Sequence, residues 1–369
     1  MKIAIIHYDL SMRTGAQRLV LGMGNAMKEL GHDIAYFTSI YDKNKAFTEF
    51  EKENLISFNG KRDFFGKFRG LTAYLESRKM IEKCRKEFNP DLYIFSSNYY
   101  LASDYNPSMI YCHHPEQLLV NNEDIVRKIL HVPIDRAEER GFQKTDEILC
   151  NSQFTSNVIK RTFQRSSTIL FPGVDTERFS FSNIEENFIL TVNRIMPGKN
   201  LEFAIDIINN ITKSRKDIKL IIAGTKQIGF EWYIQSLENK IRELKLEKFI
   251  EIKIDVSDKD LIDLYRKCMV FLYTPIEEHF GIAPIEAMSC GKPVIAFARG
   301  GPKETIKHEK TGYILEDSIT LWEEKIINLL EDKEKRMNMG IMARERVVNN
   351  FSWDVFTKKL EKCLQELSN

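Results

Sequence analysis

The sequence predicts an α/β protein with two doubly wound parallel sheets. Three observations carry that expectation. KIAIIHY at 2–8, LVLGMGNAMKEL at 19–30 and HDIAYFTS at 32–39 read as strand, helix and strand, the opening of a doubly wound sheet. The stretch 273–306 reads as the end of a strand, a loop, a short helix, a second strand and a turn. At 369 residues the chain exceeds one ordinary core and divides naturally into two domains. With 43% hydrophobic and 29% charged residues it falls among soluble globular proteins, which excludes disordered and collagen-like classes. A net charge of +1 gives no reason to expect a nucleic acid partner.

Taken in order, the first strand is a continuous apolar run, and the loop DLSMRTGAQR at 9–18 leads to a helix that Gly31 ends. Gly15 lies between strand and helix, where a missing side chain lets a ligand approach the backbone or simply lets the chain turn. Residues 61–86 hold nine basic side chains against three acids, with Phe64, Phe65 and Phe68 interleaved. That stretch suits an anionic membrane surface and equally a solvated helical face. PDLYIFSSN at 90–98 is a strand, and SMIYCHHPEQLL at 108–119 holds another that ends at His113 and His114. Either imidazole can donate a hydrogen bond near neutral pH, and their adjacency also fits a metal ligand pair without a supporting carboxylate cluster. DEILC at 146–150 is a strand, followed by a helix with Ser152 or Thr155 as cap.

The Pro172-Gly173 turn punctuates the chain. The boundary falls there, giving domains 1–175 and 176–350 and a terminal helix 351–369 with Ser352 as its N-cap. In the second domain NFILTVNRI at 187–195 is a strand, and Arg194 and Lys199 flank a Pro-Gly turn that can turn both cations onto one diphosphate. IKLIIAGT at 218–225 is a strand ending at Gly224, 232–246 an amphipathic helix, 249–256 a strand of alternating character and 258–268 a lead into the next strand. That strand, KCMVFLYTP, stops at Pro275. Pro284 fits a first helical position and Gly291 a left-handed C-cap, which places Glu286 in the first turn. KPVIAF at 292–297 is a strand, the glycines at 300 and 301 a flexible turn, and 311–315 a last short strand before a charged helical stretch at 321–348.

Loops at the carboxyl ends of parallel strands bind ligands. The helix start at Pro284 offers free N–H groups to an anion. Carboxylates are repelled by that anion, so Glu278 and Glu286 read as acceptors for hydroxyl groups flanking a phosphate, although Glu286 would also complement a helix dipole. Hydroxyls on both sides of a diphosphate describe a nucleotide sugar.

The string YTPIEEHFGIAPIEAM, followed by GKPVIA and GGPKETI, resembles the donor site of retaining glycosyltransferases of family 4. The resemblance also covers YCHHPEQLL, NSQFTSNVI and NRIMPGKN, and is nearest to mannosyltransferases that extend lipid-linked oligosaccharides from GDP-mannose. It implies a GT-B fold, two Rossmann-like domains facing across a cleft, with the last helix crossing back to the first. It implies that Glu278 sits by the ring hydroxyls of the sugar, that His279, Phe280, Gly281 and Ile282 lie against it, and that Glu286 holds the ribose. Arg194 and Lys199 would then bind phosphate, His113 would reach the donor sugar, and Gly15 and Gly224 would line the donor. Family members often carry Gly-Gly where this chain has Thr14-Gly15.

The reaction implied is transfer of a hexosyl group with retention to a hydroxyl of a saccharide or lipid-linked saccharide. No metal or other cofactor is expected, since the cations Arg194 and Lys199 do that work. A UDP-sugar donor, a nucleotide-sugar epimerase on the same fold, and a catalytically silent sugar-nucleotide-binding partner subunit are the rival readings. The six cysteines lack metal-site spacing and read as free thiols. Neither a signal peptide nor an apolar run of about 18 residues is seen, so a cytoplasmic protein is expected, at most peripheral to a membrane.

Overall fold

The computed structural model describes residues 1–58, 69–115, 125–227 and 229–368. The chain forms two compact units, one of Met1–Gly173 with Trp353–Asn369, the other of Val174–Ser352.

Unit 1 is a seven-stranded sheet of β1 (Lys2–Ile6), β2 (Asp33–Thr38), β3 (Leu55–Ser57), β4 (Leu92–Phe95), β5 (Ser108–Cys112), β6 (Glu147–Cys150) and β7 (Thr168–Ile169), in the order β3-β2-β1-β4-β5-β6-β7. Its strand pairs are parallel. Its helices are α1 (Gly15–Glu29), α2 (Arg69–Glu87), α3 (Ile125–Lys144) and α4 (Gln153–Phe163). Side chains alternate across a strand, and β1 shows what that does here. Ile3 and Ile5 join one core with Leu19, Met23 and Met27 of α1. Ala4 and Ile6 join the opposite core with Met80, Ile81 and Cys84 of α2. Both faces are covered, so the strand reads as an unbroken apolar run.

Unit 2 repeats the plan with six strands: β8 (Phe188–Ile195), β9 (Lys219–Lys226), β10 (Ile250–Ile254), β11 (Val270–Tyr273), β12 (Val294–Phe297) and β13 (Gly312–Leu315). The order is β10-β9-β8-β11-β12-β13, again with parallel pairs. Its helices are α5 (Leu201–Ser214), α6 (Glu231–Glu243), α7 (Asp258–Lys267), α8 (Ile282–Ser289), α9 (Pro302–Thr305), α10 (Ile319–Glu331) and α11 (Lys333–Phe351). A final helix, α12 (Trp353–Ser368), belongs to unit 1, where Phe356, Leu360 and Leu364 pack into the core that α1 shares.

In each sheet the strand order reverses once, between β1 and β4 and between β8 and β11. Connections leave a reversal point in opposite directions, and the gap they leave beyond the carboxyl ends of the two strands is where this class of sheet takes a ligand.

Three local expectations need correction. The strand expected to end at Gly224 runs on to Lys226, because Thr225 and Lys226 find register partners in Arg194 and Ile195. Gly15 is the first residue of α1, with Thr14 as its N-cap, and not part of the loop. The helix expected to start at Pro284 starts at Ile282, because Gly281 takes φ +82° as its N-cap; a proline is tolerated anywhere in a first turn, whose N–H groups lack helical partners. Glu286 therefore lies in the second turn. The Ser352 hydroxyl, at the junction of α11 and α12, donates to Val348 O (2.9 Å).

Other sequence features are as expected. Ser152 caps α4 by accepting from Thr155 N (3.0 Å). Gly291 (φ +76°) ends α8, with Lys292 N donating to Ala287 O and Gly291 N to Met288 O, the paired bonds of a Schellman cap. All six cysteines are free and buried. Of the basic stretch, 61–68 and its phenylalanines lie outside the described residues; within α2, Met80, Ile81 and Cys84 face inward, and Arg78 pairs with Asp104 (3.4 Å). No helix among the described residues is long and apolar enough to cross a membrane.

Candidate active site

The reversal point of unit 2 gathers the acidic and basic candidates. Lys199 ends a 3-10 turn at Pro197–Lys199, directly after β8, and Thr274 Oγ1 at the end of β11 donates to its carbonyl (2.9 Å), tying that turn to the neighbouring strand. The Lys199 ammonium lies 2.6 Å from Glu278 Oε2, with the two side chains only 15% and 21% exposed. Tyr273 OH donates to the same oxygen at 2.8 Å. Burial would raise the Glu278 carboxyl, but the Lys199 charge and the bonds from Lys199 and Tyr273 outweigh it and hold Glu278 below its ordinary value. Both bonds fall on Oε2, so Oε1 keeps acceptor capacity for a hydroxyl.

Glu286 repeats the device one helical turn into α8. Tyr265 of α7 donates its hydroxyl to Glu286 Oε2 at 2.8 Å. Burial and the adjacent carboxylates push both tyrosine hydroxyls well above their usual range, so each stays protonated and donating. A carboxylate with one oxygen fixed by a tyrosine is pre-oriented for a ligand. Glu286 thus serves neither as a cap nor as a first-turn charge.

The backbone around Glu278 is held from the other side. Gly301 N donates to Glu278 O (2.8 Å). A side chain on Gly300, which sits at φ +64°, would overlap the Glu278 carbonyl, and a Cβ on Gly301 would come within 2.5 Å of His279 O. The Gly-Gly turn therefore fits closely against the 278–279 backbone. Phe280 is buried, with its ring 6.2 Å from that of Phe351, so the side chain points into the core. Gly281 is equally confined, with Tyr273 Cε1 3.0 Å from where its Cβ would be. Burial lowers the His279 pKa against the pull of Glu278 and Glu277. Ile282 is half-buried. Arg194 is exposed at the end of β8, and its charge is felt at the Tyr273 hydroxyl. Gly224 is a strand glycine whose Cβ would overlap Asn193 O on the paired strand, so that strand pairing alone accounts for it.

Unit 1 supplies its own cluster at its reversal point. His113 follows β5, and its Nε2 lies 2.8 Å from Ser96 Oγ, just after β4. Tyr99 OH accepts from His113 N (3.1 Å) and Asn151 Nδ2 donates to His113 O (3.0 Å), so its backbone is held twice. His114 is half-buried beside it. His7, just past β1 and 7% exposed, approaches Ser96 Oγ through Nδ1 at 3.3 Å. Burial takes its pKa from 6.5 down to about 4, against a smaller opposing pull from Asp9.

Because folding depresses this pKa, the unfolded chain binds a proton that the folded chain refuses. The corresponding stability is complete above pH 6.5 and is lost as pH falls toward 4. About 3 kcal/mol is expected to disappear over that interval. Urea midpoints of the natural protein and of His7→Asn, compared at neutral and mildly acidic pH, check this; parallel pH profiles would refute it.

Among the described residues no group of three or more His, Cys, Asp or Glu side chains is placed to hold a metal ion. Residues missed by the sequence reading are Tyr265, Tyr273, His7 and Ser96. The tyrosines read as core aromatics and His7 as the end of an apolar strand.

Residues 174–346 match the model of glycosyl transferases group 1 and residues 13–178 that of glycosyltransferase family 4. The chain is 30% identical over its full length to the alpha-1,3/1,6-mannosyltransferase ALG2 of Dictyostelium discoideum, spanning 98% of that protein. It belongs to glycosyltransferase family 4. This family 4 enzyme is also 28% identical to the human protein of the same name, over 99% of the chain and 96% of that protein. In fold it is similar to sucrose-phosphate synthase from Thermosynechococcus elongatus, with a TM-score of 0.84, 19% identity and coverage of 99% and 98% of the two chains. Its two parallel-sheet units are the Rossmann-like domains of the GT-B class.

Proposed function

We propose that this family 4 glycosyltransferase moves mannose from GDP-mannose to a hydroxyl of a lipid-linked saccharide, with retention and without a metal. The observation that carries the site assignment is the Lys199–Glu278–Tyr273 cluster at the unit 2 reversal point. Mannose is favoured by full-length similarity to alpha-1,3/1,6-mannosyltransferases.

Glu278 and Glu286, each oriented by a tyrosine, clamp hydroxyls of the sugar and the ribose. Lys199 gives one of its three ammonium donors to Glu278 and has two for the diphosphate, which Arg194 also meets. The N–H groups of Gly281, Ile282 and Ala283 add the positive end of α8, Pro284 having none to offer. As the sugar–phosphate bond breaks, these cations and dipoles stabilise the growing charge on phosphate, which takes the proton of the acceptor hydroxyl attacking from the same face. His113 positions the sugar.

An acceptor on a lipid would bring the enzyme to a membrane, on its cytoplasmic face, and the basic stretch 61–86 supports contact with anionic lipid there.

A thermal-shift panel of GDP, UDP, ADP and their sugars is the test. GDP-mannose at about 100 times Kd should stabilise by about 2.7 kcal/mol. A larger shift with UDP compounds would replace the nucleotide, and no shift with any would remove the donor site. Transfer should persist in chelator, retain the anomeric configuration and be faster with acceptor in anionic vesicles than in neutral ones.

A further inference from the structure

Unit 1 contains a hydrogen-bonded chain that the roles above leave unused. Gln17, buried on α1, donates from Nε2 to Asp9 O at 2.8 Å and lies 3.5 Å from His7 Nε2. His7 Nδ1 faces Ser96 Oγ at 3.3 Å, and Ser96 Oγ faces His113 Nε2 at 2.8 Å. The links run from α1 through β1 and β4 to the end of β5, across the point where the sheet order reverses.

The proton positions along this chain follow from its fixed ends. A backbone carbonyl only accepts, so Asp9 O sets the orientation of the Gln17 amide, whose oxygen receives the Thr14 hydroxyl. The Gln17 nitrogen has only protons to offer, so His7 Nε2 must accept. A neutral His7 then carries its proton on Nδ1, which donates to Ser96. Ser96 is buried, and among the described residues its hydroxyl bonds only His7 and His113, so its single proton has His113 Nε2 as its acceptor. His113 is thereby left with its own proton on Nδ1, the tautomer that a free imidazole side chain in water does not favour.

We propose that Gln17, His7 and Ser96 are positioning residues that fix the tautomer of His113, making Nδ1 its hydrogen-bond donor in the sugar-transfer reaction. The proposal rests on the reading of His113 as a donor-sugar contact. A protonated His7 would have no acceptor for Gln17 and would break the chain, which is consistent with its burial away from solvent charge.

Ring-nitrogen NMR of protein labelled with 15N-histidine tests it, with His113 assigned by its disappearance in His113→Gln. The natural protein should show a protonated Nδ1 and an unprotonated Nε2 at His113. In His7→Leu that pattern should relax toward the Nε2–H form, and kcat should fall about tenfold or more with little change in the donor KM. His7→Asn keeps an amide donor where Nδ1 stood, and should restore both the pattern and most of kcat. Thermal melts identify any variant that has merely lost its fold. A protonated Nε2 at His113 in the natural protein overturns the proposal, as does a His7→Leu protein that keeps its fold, its His113 pattern and its kcat. If the natural protein transfers no sugar, the functional reading fails, while the ring-nitrogen pattern still decides whether the chain sets the tautomer.

Discussion

Replacing Lys199 with Met is expected to lower kcat by about 10²-fold or more and to destabilise unit 2 by about 3 kcal/mol. The two losses have different origins. Stability falls because Glu278, mostly buried and bonded to Lys199 at 2.6 Å, would be left as a carboxylate without its cation. Activity falls because the diphosphate would lose the charge that stabilises its departure. Adding Glu278→Gln separates them, since a neutral amide needs no counter-ion and its oxygen can still accept from Tyr273. The double variant Lys199→Met with Glu278→Gln should regain most of the stability and none of the activity. Urea unfolding and single-turnover transfer rates report the two quantities. If the double variant also regained activity, Lys199 would serve Glu278 alone and its place on the diphosphate would be lost.

Gly300→Ala should be nearly as damaging to catalysis, acting through the Glu278 backbone. Its φ of +64° is strained for alanine by roughly 1 kcal/mol, and its new methyl group would overlap the Glu278 carbonyl. The 278–279 backbone must then move, and a shift of about 1 Å at a positioning group is worth about 10² in rate. Because Glu286 and its partner Tyr265 lie on α8 and α7, nucleotide affinity should change much less than kcat. Steady-state kinetics with the nucleotide sugar varied, together with a melting curve, distinguish displacement from unfolding. An intact protein with unchanged kcat would show that the Gly-Gly turn does not hold Glu278 in place.

How much of this was legible depended on whether the signal was local. Continuous apolar runs announced the central strands of both sheets, since helices cover both faces. The three-residue β3 and the two-residue β7 went unread, because strands that short at a sheet edge carry almost no pattern of their own. Within the donor-side cluster, Glu278, Phe280-Gly281 and Glu286 were visible as one string. Their supports were not. Tyr265 and Tyr273 sit in apolar surroundings and look like packing residues; only the fold shows that each directs its hydroxyl at a carboxylate. His7 was hidden in the same way, as the polar end of an apolar run. Pro284 misled because proline marks a first turn without saying which position in it, and the positive φ that sets the true start belongs to Gly281.

The return of α12 to unit 1 has a consequence for how the protein is made. Unit 1 is interrupted in sequence by the whole of unit 2, and part of its core, around Phe356, Leu360 and Leu364, lies beyond that interruption. On the ribosome the first sheet therefore emerges with the apolar flank of α1 uncovered. At about 5–20 residues per second, translating the roughly 180 intervening residues takes on the order of 10 s or more. Unit 2 is contiguous and can complete itself in that interval. The order of completion is thus the reverse of the order of synthesis, and the nascent first half is the part that keeps an uncovered apolar flank until α12 arrives.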